Sequence, residues 1–230
     1  MNKSLISEEL DLLQSLVELK QQRQIVELGC GAADLSRKLL ARYSDCEVTG
    51  LEVDGLQHEK NLLSPLQRLQ FVQAGAQSIP FPAEVFDLAL MLKSLHHVPR
   101  DQMDRALLEV HRVLRRKGLL YVSEPVFAGD LNEVIRLFHD EEVVRNAAQR
   151  ALQDAVSSGV WEQVAEIQFE TPVYFRDFAE FKNRLIGITY LDHRLDTTTL
   201  ELVRARFETN MGADGAHFVR PTHAILLRKC

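Results

Sequence analysis

An α/β fold built around a parallel sheet is predicted by three observations. Short apolar runs alternate with amphipathic helical patterns through residues 20–125, the order that strand–helix–strand units require. The run Phe86–Leu92, F-D-L-A-L-M-L, is apolar nearly throughout, as expected of a central strand covered on both faces. The stretch Ile25–Leu35, I-V-E-L-G-C-G-A-A-D-L, reads as strand, glycine turn and helix start. That local geometry brings backbone close to a nucleotide.

The elements follow in order. A helix is predicted over 7–20, with Ser7 as cap, Glu8 and Glu9 in its first turn, and Leu10, Leu13, Leu16 and Val17 on one face. Strands are predicted at 24–28, 47–53, 69–73, 86–92 and 119–123. Helices lie between them at 34–43, with Leu35, Leu39 and Leu40 inward, at 55–63 and at 101–116. Met103, Leu107, Val110 and Leu114 share one face of the last helix. Arg115, Arg116 and Lys117 then complement its dipole, and Gly118 stops it. Residues 74–84 are rich in turn formers. Further on, 131–157 is helical with a break near 140–142, 164–173 is a strand, 177–185 and 198–207 are helices, and 223–228 is a final strand. No Gly-, Pro- or Ser-rich linker divides the chain. A single domain over 1–230 is therefore expected, with a helix in 1–22 and the segment 126–215 as cap elements over an acceptor site.

The chain has 230 residues, 46% hydrophobic and 26% charged, with a formal net charge of −6. This is the balance of an ordinary globular protein, and the acidic sign argues against nucleic-acid or anionic-membrane partners. Cys30, Cys46 and Cys230 lack metal-ligand spacing and are odd in number, so no metal and a reduced, cytoplasmic compartment are expected. No apolar run reaches the ~20 residues of a membrane span.

In open parallel sheets ligands bind at the carboxyl ends of the strands. Glu27–Gly31, Glu52, Gly75–Gln77, the segment after Leu92, and Glu124 all fall at such ends. A dinucleotide would use G-x-G-x-x-G/A with pyrophosphate on the helix N-terminus. Here the third position is Asp34, and Glu27 adds a second anion. Both repel pyrophosphate and disfavour NAD. A phosphate-free cation such as S-adenosylmethionine reverses that logic. Glu27 suits its ammonium, and Glu52 suits the ribose hydroxyls. Asp54 is the alternative ribose partner.

The segments V-E-L-G-C-G, V-T-G-L-E-V-D, A-Q-S-I-P-F-P, F-D-L-A-L-M-L-K-S-L-H-H-V and E-V-H-R-V-L-R-R-K-G-L-L-Y-V-S-E-P occur in that order. Together they resemble the class I S-adenosylmethionine-dependent methyltransferases, in particular the small-molecule type-11 group. The resemblance covers roughly residues 20–125. It implies a Rossmann-like, seven-stranded, mostly parallel sheet with helices on both faces, strand order 3-2-1-4-5-7-6 and an antiparallel last strand. Strands six and seven would then be 164–173 and 223–228. The resemblance also implies that Glu27, Gly29, Cys30 and Gly31 surround the methionine end and that Glu52 and Val53 hold the ribose side. Gly75, Ala76 and Gln77 would flank adenine, and Met91 would face the sulfonium region through its backbone. Three residues depart from the pattern. Ala33 replaces a third glycine, Glu52 replaces the usual Asp, and Gly75 stands where an Asp often receives the adenine amino group. Adenine recognition would then rest on backbone, Gln77 or Ser78. Cys30 is read as a small packing residue.

The implied reaction is methyl transfer to a small-molecule acceptor by in-line displacement, which needs a base only when the nucleophile must lose a proton. Lys93-Ser94-Leu95-His96 replaces the N-P-P-Y of base-amino methyltransferases, and no cysteine follows a proline. His97 is the candidate base, with His96 beside it. Lys93 is expected at the surface, and Glu124 either contacts substrate or ends its strand. Trp161, Tyr174, Phe175, Tyr190 and His193 line the acceptor pocket or fill the core, and Tyr190–Arg194 is lid or surface. The alternatives are a cofactor-binding or protein-interaction domain without catalysis, and an NAD-dependent oxidoreductase.

Overall fold

The computed structural model describes residues 4–187 and 195–230. Tyr190, His193 and the segment 190–194 lie outside the described residues. The chain divides into two compact units. The larger comprises Glu8–Glu124, Asn146–Ile167 and His223–Cys230, and the smaller comprises Met1–Ser7, Pro125–Arg145 and Gln168–Thr222.

The strands are β1 (Ser4–Leu5), β2 (Gln24–Leu28), β3 (Glu47–Glu52), β4 (Leu69–Gln73), β5 (Phe86–Leu92), β6 (Leu114–Pro125), β7 (Trp161–Phe175) and β8 (Ala216–Lys229). In the larger unit they lie in the order β7-β8-β6-β5-β2-β3-β4. Numbered from β2 as the first strand, this is the expected 3-2-1-4-5-7-6. The pairs β2–β3, β2–β5, β3–β4 and β5–β6 are parallel. Lys229 Nζ donates to Leu114 O at 2.7 Å and Cys230 N to Val160 O at 3.3 Å. The end of β8 therefore lies beside the starts of β6 and β7, and β8 runs antiparallel to both. The strand not foreseen is β1, which pairs in parallel with Phe169–Glu170 in the smaller unit.

Helices α1 (Glu9–Leu16), α2 (Asp34–Arg42), α3 (Gly55–Leu62) and α4 (Met103–Val113) belong to the larger unit. Their apolar faces, with the strands, form one core from Val26, Leu28, Leu51, Phe86, Met91, Leu107, Val110 and Trp161. Trp161 is 2% exposed and meets His111 edge-on at 5.1 Å. It is a core residue.

Two helix expectations are corrected. The first helix is shorter than 7–20 and is not capped by Ser7. Its N-cap is Glu8, which makes no side-chain capping bond, and the backbone is already extended at Val17. That extension lets Val17 and Leu19 bury separately. The fourth helix ends at Val113, so Arg115, Arg116 and Lys117 lie on β6 and complement no helix dipole. Asp87 explains the change. Its Oδ2 accepts from Arg23 N and Gln24 N, and its Oδ1 holds Arg115 at 2.5 Å. The strand is thereby drawn in at Leu114, and the surplus residues form an irregularity in the β5–β6 register between Phe86 and Leu88.

In the smaller unit, α5 (Asp130–Ile135), α7 (Phe178–Phe181, continuing as one π-turn over Lys182–Ile186) and α8 (Thr197–Glu208) surround an aromatic core. Phe175, Phe178, Phe181, Phe207 and Phe218 meet at centroid distances of 4.9 to 6.0 Å. Such pairs contribute about 0.5–1.5 kcal/mol each beyond burial. Phe175 is thus core, while Tyr174 is 44% exposed. Helix α6 (Glu142–Ser157) begins in the smaller unit and ends in the larger. Among the described residues no helix is long and apolar enough to cross a membrane.

Candidate functional site

The carboxyl ends of β2 and β3 build a loop with two buried acids. Register sets Glu27 beside Gly50 and Leu28 beside Leu51, and Cys30 N donates to Leu51 O at 3.0 Å. The turn reverses through left-handed residues at Gly29 (φ 67°) and Gly31 (φ 52°), with Ala33 (φ 58°) ahead of α2. A methyl on Gly29 would stand 2.7 Å from Ser94 Cβ, whereas one on Gly31 would meet nothing within 4 Å. Gly29 therefore lets the turn after β5 approach, and Gly31 leaves an open face above the backbone.

Glu52 fastens this loop. It is 7% exposed, its Oε2 accepts from Gly31 N at 2.8 Å, and its Oε1 accepts from Asp54 N at 2.9 Å. A carboxylate offers about four lone-pair sites, so both oxygens keep room for further donors. Asp54, the alternative acid, caps α3 through Leu56 N at 2.9 Å. Asn61 Nδ2 donates to Gly31 O at 2.8 Å and holds the loop from α3.

Glu27 is 5% exposed and hydrogen-bonded by the fully buried Ser36 Oγ. Burial pushes its carboxyl up to about 7. The Ser36 hydroxyl opposes that rise, and the charges of Asp34 and Glu9 add to it. Burial, with Glu27 and Glu52 nearby, also pushes the Cys30 thiol far above its usual value, in keeping with a packing role. Arg37 on α2 is turned toward Ala32 O at 3.3 Å and Ser64 O at 2.8 Å.

Along the next strand, Ala74 N donates to Glu52 O at 3.2 Å, which brings Gly75–Gln77 beside Glu52 and Val53. Val53 is 63% exposed and Ala76 is buried. The Gln77 amide folds over Gly75, where a methyl would lie 2.5 Å from its Oε1. Met91 is fully buried in β5 and offers only backbone.

After β5 the chain turns through Ser94–His97, and one buried carboxylate organises the turn. Glu124, 1% exposed at the end of β6, accepts from Ser94 N at 3.1 Å and Leu95 N at 2.8 Å, and its second oxygen meets His96 Nδ1. His97 is exposed, and its ring lies 4.1 Å from that of His96. Ser94 Oγ is buried without a hydrogen-bond partner beside Gly29. Lys93 reaches the surface, with its side chain 39% exposed. It has φ 54°, and its Nζ is 3.9 Å from Glu9 Oε2.

Every candidate residue from Glu27 to His97 thus lies at or just beyond the carboxyl ends of the strands of the larger unit. Sequence reasoning missed Ser36 and Asn61, and it left Glu124 without its clamping role. Ser36 carried one signal, a polar residue on the inward face of α2 beside Leu39 and Leu40. Asn61 carried none.

Residues 25–118 match a family model described as a methyltransferase domain. A fatty-acid O-methyltransferase of Mycolicibacterium smegmatis is 31% identical over 140 residues, 60% of this chain and 50% of that protein. Residues 25–118 are thus similar to methyltransferase domains. A ubiquinone/menaquinone biosynthesis C-methyltransferase of Rhizobium etli is 32% identical over 109 residues, 44% of this chain and 41% of that protein. The chain thus spans about half or less of the curated relatives it matches. The crystal structure of the YcgJ protein of Bacillus subtilis superposes with a TM-score of 0.66 at 17% identity, covering 96% of this chain and 97% of that one. At that identity the likeness concerns the fold.

Proposed function

We propose that this chain transfers a methyl group from S-adenosylmethionine to a small-molecule acceptor. One observation carries the reading. Two buried acids, Glu27 and Glu52, flank an open glycine turn that Glu52 itself holds in place. Anions at those positions repel a pyrophosphate and attract an ammonium and ribose hydroxyls. The open face at Gly31 and the unpartnered hydroxyl of Ser94 fit the same group.

When bound, S-adenosylmethionine supplies a methyl group already activated on its sulfonium. The rest falls to the chain. Glu27 holds the ammonium, and the backbone of Gly29, Cys30 and Gly31 allows close approach. Glu52 accepts from the ribose, with Val53 alongside. Gly75, Ala76 and the Gln77 amide flank adenine, and Met91 backs the sulfonium region through its main chain. His97, exposed on the turn fixed by Glu124, takes the proton of an acceptor that must lose one. The chain acts as one catalytic domain in which the smaller unit, with most of residues 126–215, handles the acceptor. The relatives' names, for a fatty acid and for quinone biosynthesis, support a small organic acceptor. The net charge of −6 supports neither nucleic acid nor an anionic membrane as partner.

Calorimetry with S-adenosylmethionine, S-adenosylhomocysteine and NADH, on the chain and on Glu52→Gln, tests the reading. The first two should bind, NADH should not, and the variant should bind weakly. Tight NADH binding with no response to the others would overturn it. Binding without turnover across a broad acceptor panel would favour a non-catalytic cofactor-binding domain.

A further inference from the structure

We propose that Asn132, Arg145 and Arg220, all in the smaller unit, form a receptor for a carboxylate. Assigning that carboxylate to the methyl acceptor rests on the methyltransferase reading, whereas the receptor itself does not.

Arg145 is 9% exposed and Asn132 is 6% exposed. Arg145 Nη2 donates to Glu141 Oε2 at 2.6 Å and Nη1 to Asn132 Oδ1 at 3.1 Å. A guanidinium only donates, so the Asn132 amide is oriented without ambiguity, its oxygen to Arg145 and its nitrogen away. Two buried polar atoms are then left without partners, Arg145 Nε and Asn132 Nδ2. Both are donors. A native fold leaves few such groups, and each carries a desolvation cost.

Arg220 on β8 adds a charge to this group. Burial and the like charges of Arg145 and Arg184 destabilise its guanidinium, and Glu141 opposes them. Arg184 is paired with Glu180 at 3.1 Å, and Glu141 is engaged by Arg145 and by His139 Nε2 at 3.0 Å. Among the described residues the Arg220 side chain makes neither a hydrogen bond nor an ion pair. Among the described residues Glu141 is the carboxylate that faces both Arg145 and the half-buried Arg220, so two guanidiniums stand beside one carboxylate.

Unpaired donors only, beside one surplus positive charge, call for a monoanion that only accepts. A carboxylate meets this description and matches the planar fork of a guanidinium. A phosphate dianion would overcompensate the charge.

The test uses the full chain and octanoate, octanol and inorganic phosphate as probes, read by calorimetry and thermal unfolding. Octanoate should bind and raise the melting temperature, and octanol should do neither. Arg220→Gln should weaken octanoate at least tenfold without lowering the melting temperature of the ligand-free protein, because it removes a charge whose carboxylate is already engaged by Arg145. Asn132→Asp should raise that temperature and abolish octanoate binding, because it supplies the missing carboxylate from within. Full octanoate affinity in both variants, or octanol binding as tightly as octanoate, would overturn the receptor. Inorganic phosphate displacing octanoate at equal concentration would overturn the carboxylate as its ligand. S-adenosylhomocysteine titrated into the wild-type chain reports separately on the methyltransferase reading.

Discussion

The glycine loop of the larger unit and the arginine group of the smaller unit are opposites in charge and in origin. The loop sets Glu52 against the amides of Gly31 and Asp54 and Glu27 against the Ser36 hydroxyl. The arginine group sets two guanidiniums around a single carboxylate. The first arises within about thirty residues of chain, from one strand–turn–helix unit and the strand beside it. The second joins Asn132, Arg145 and Arg220, which only the folded smaller unit brings together. In each, the proposed ligand would complete the electrostatics. What differs is how far the fold depends on the charged residue, and variants can measure that.

The largest effect belongs to Glu52. Glu52→Ala strands the amides of Gly31 and Asp54, each donating to it at under 3 Å. Losing two such bonds costs roughly 2–5 kcal/mol. The melting temperature should fall, and S-adenosylhomocysteine affinity should drop on the order of a hundredfold by calorimetry. A melting temperature unchanged from wild type would mean that Glu52 does not hold the loop, and the contrast with Arg220 would collapse.

Glu27 gives the next effect, and its sign depends on pH. Burial holds its folded-state carboxyl at about 7, above the usual 4.5. A raised acid binds its proton more tightly in the folded state, so its contribution is full at low pH and is lost as pH climbs from about 4.5 to 7. The loss is about 3 kcal/mol. Ser36→Ala removes the hydrogen bond that favours the ionised form. The variant should match wild type near pH 5 and be less stable by about 1–2 kcal/mol near pH 8. A cationic ligand at Glu27 favours ionisation, so S-adenosylmethionine binding near pH 6.5 should release a proton, read as a heat that varies with buffer. Equal heats in all buffers would remove Glu27 from the ammonium.

How much was legible follows the same contrast. β2, β4 and β5 begin and end where the sequence predicts them, and β2 and β5 are buried parallel strands with little other freedom. Gly29, Gly31, Glu27 and Glu52 were readable because the turn and its acids are local. The end of α4 was not. Arg115–Lys117 have good helix propensity, and the ion pair and amides that draw Leu114 into the sheet come from Asp87 on another strand. Ser36 and Asn61 were hidden for a related reason, since each serves an atom many residues away. The arginine group was the least legible, because an unpaired guanidinium is defined by what surrounds it and no spacing encodes that.

Gly31→Ala separates ligand approach from folding. The added methyl meets no neighbour but must adopt φ 52°, which costs about 1–2 kcal/mol. A folded protein with cofactor affinity reduced at least tenfold is expected. Undiminished affinity would mean that the open face is not where the cofactor lies.

The smallest effect is expected at Lys93. Its 3.9 Å pair with Glu9 is long, and its side chain is 39% exposed. Solvent screening limits such a pair to a few tenths of a kcal/mol. Tyr121 OH still donates to Glu9 Oε1 at 3.2 Å after the change, so Glu9 is not stranded. Lys93→Ala should therefore unfold within about half a kcal/mol of wild type, and methyl transfer should be unaltered. A collapse in kcat with unchanged stability would instead place the ammonium against the acceptor. That would add a cationic residue to a site whose known side of the comparison is acidic, and the division of charge between the two units would no longer hold.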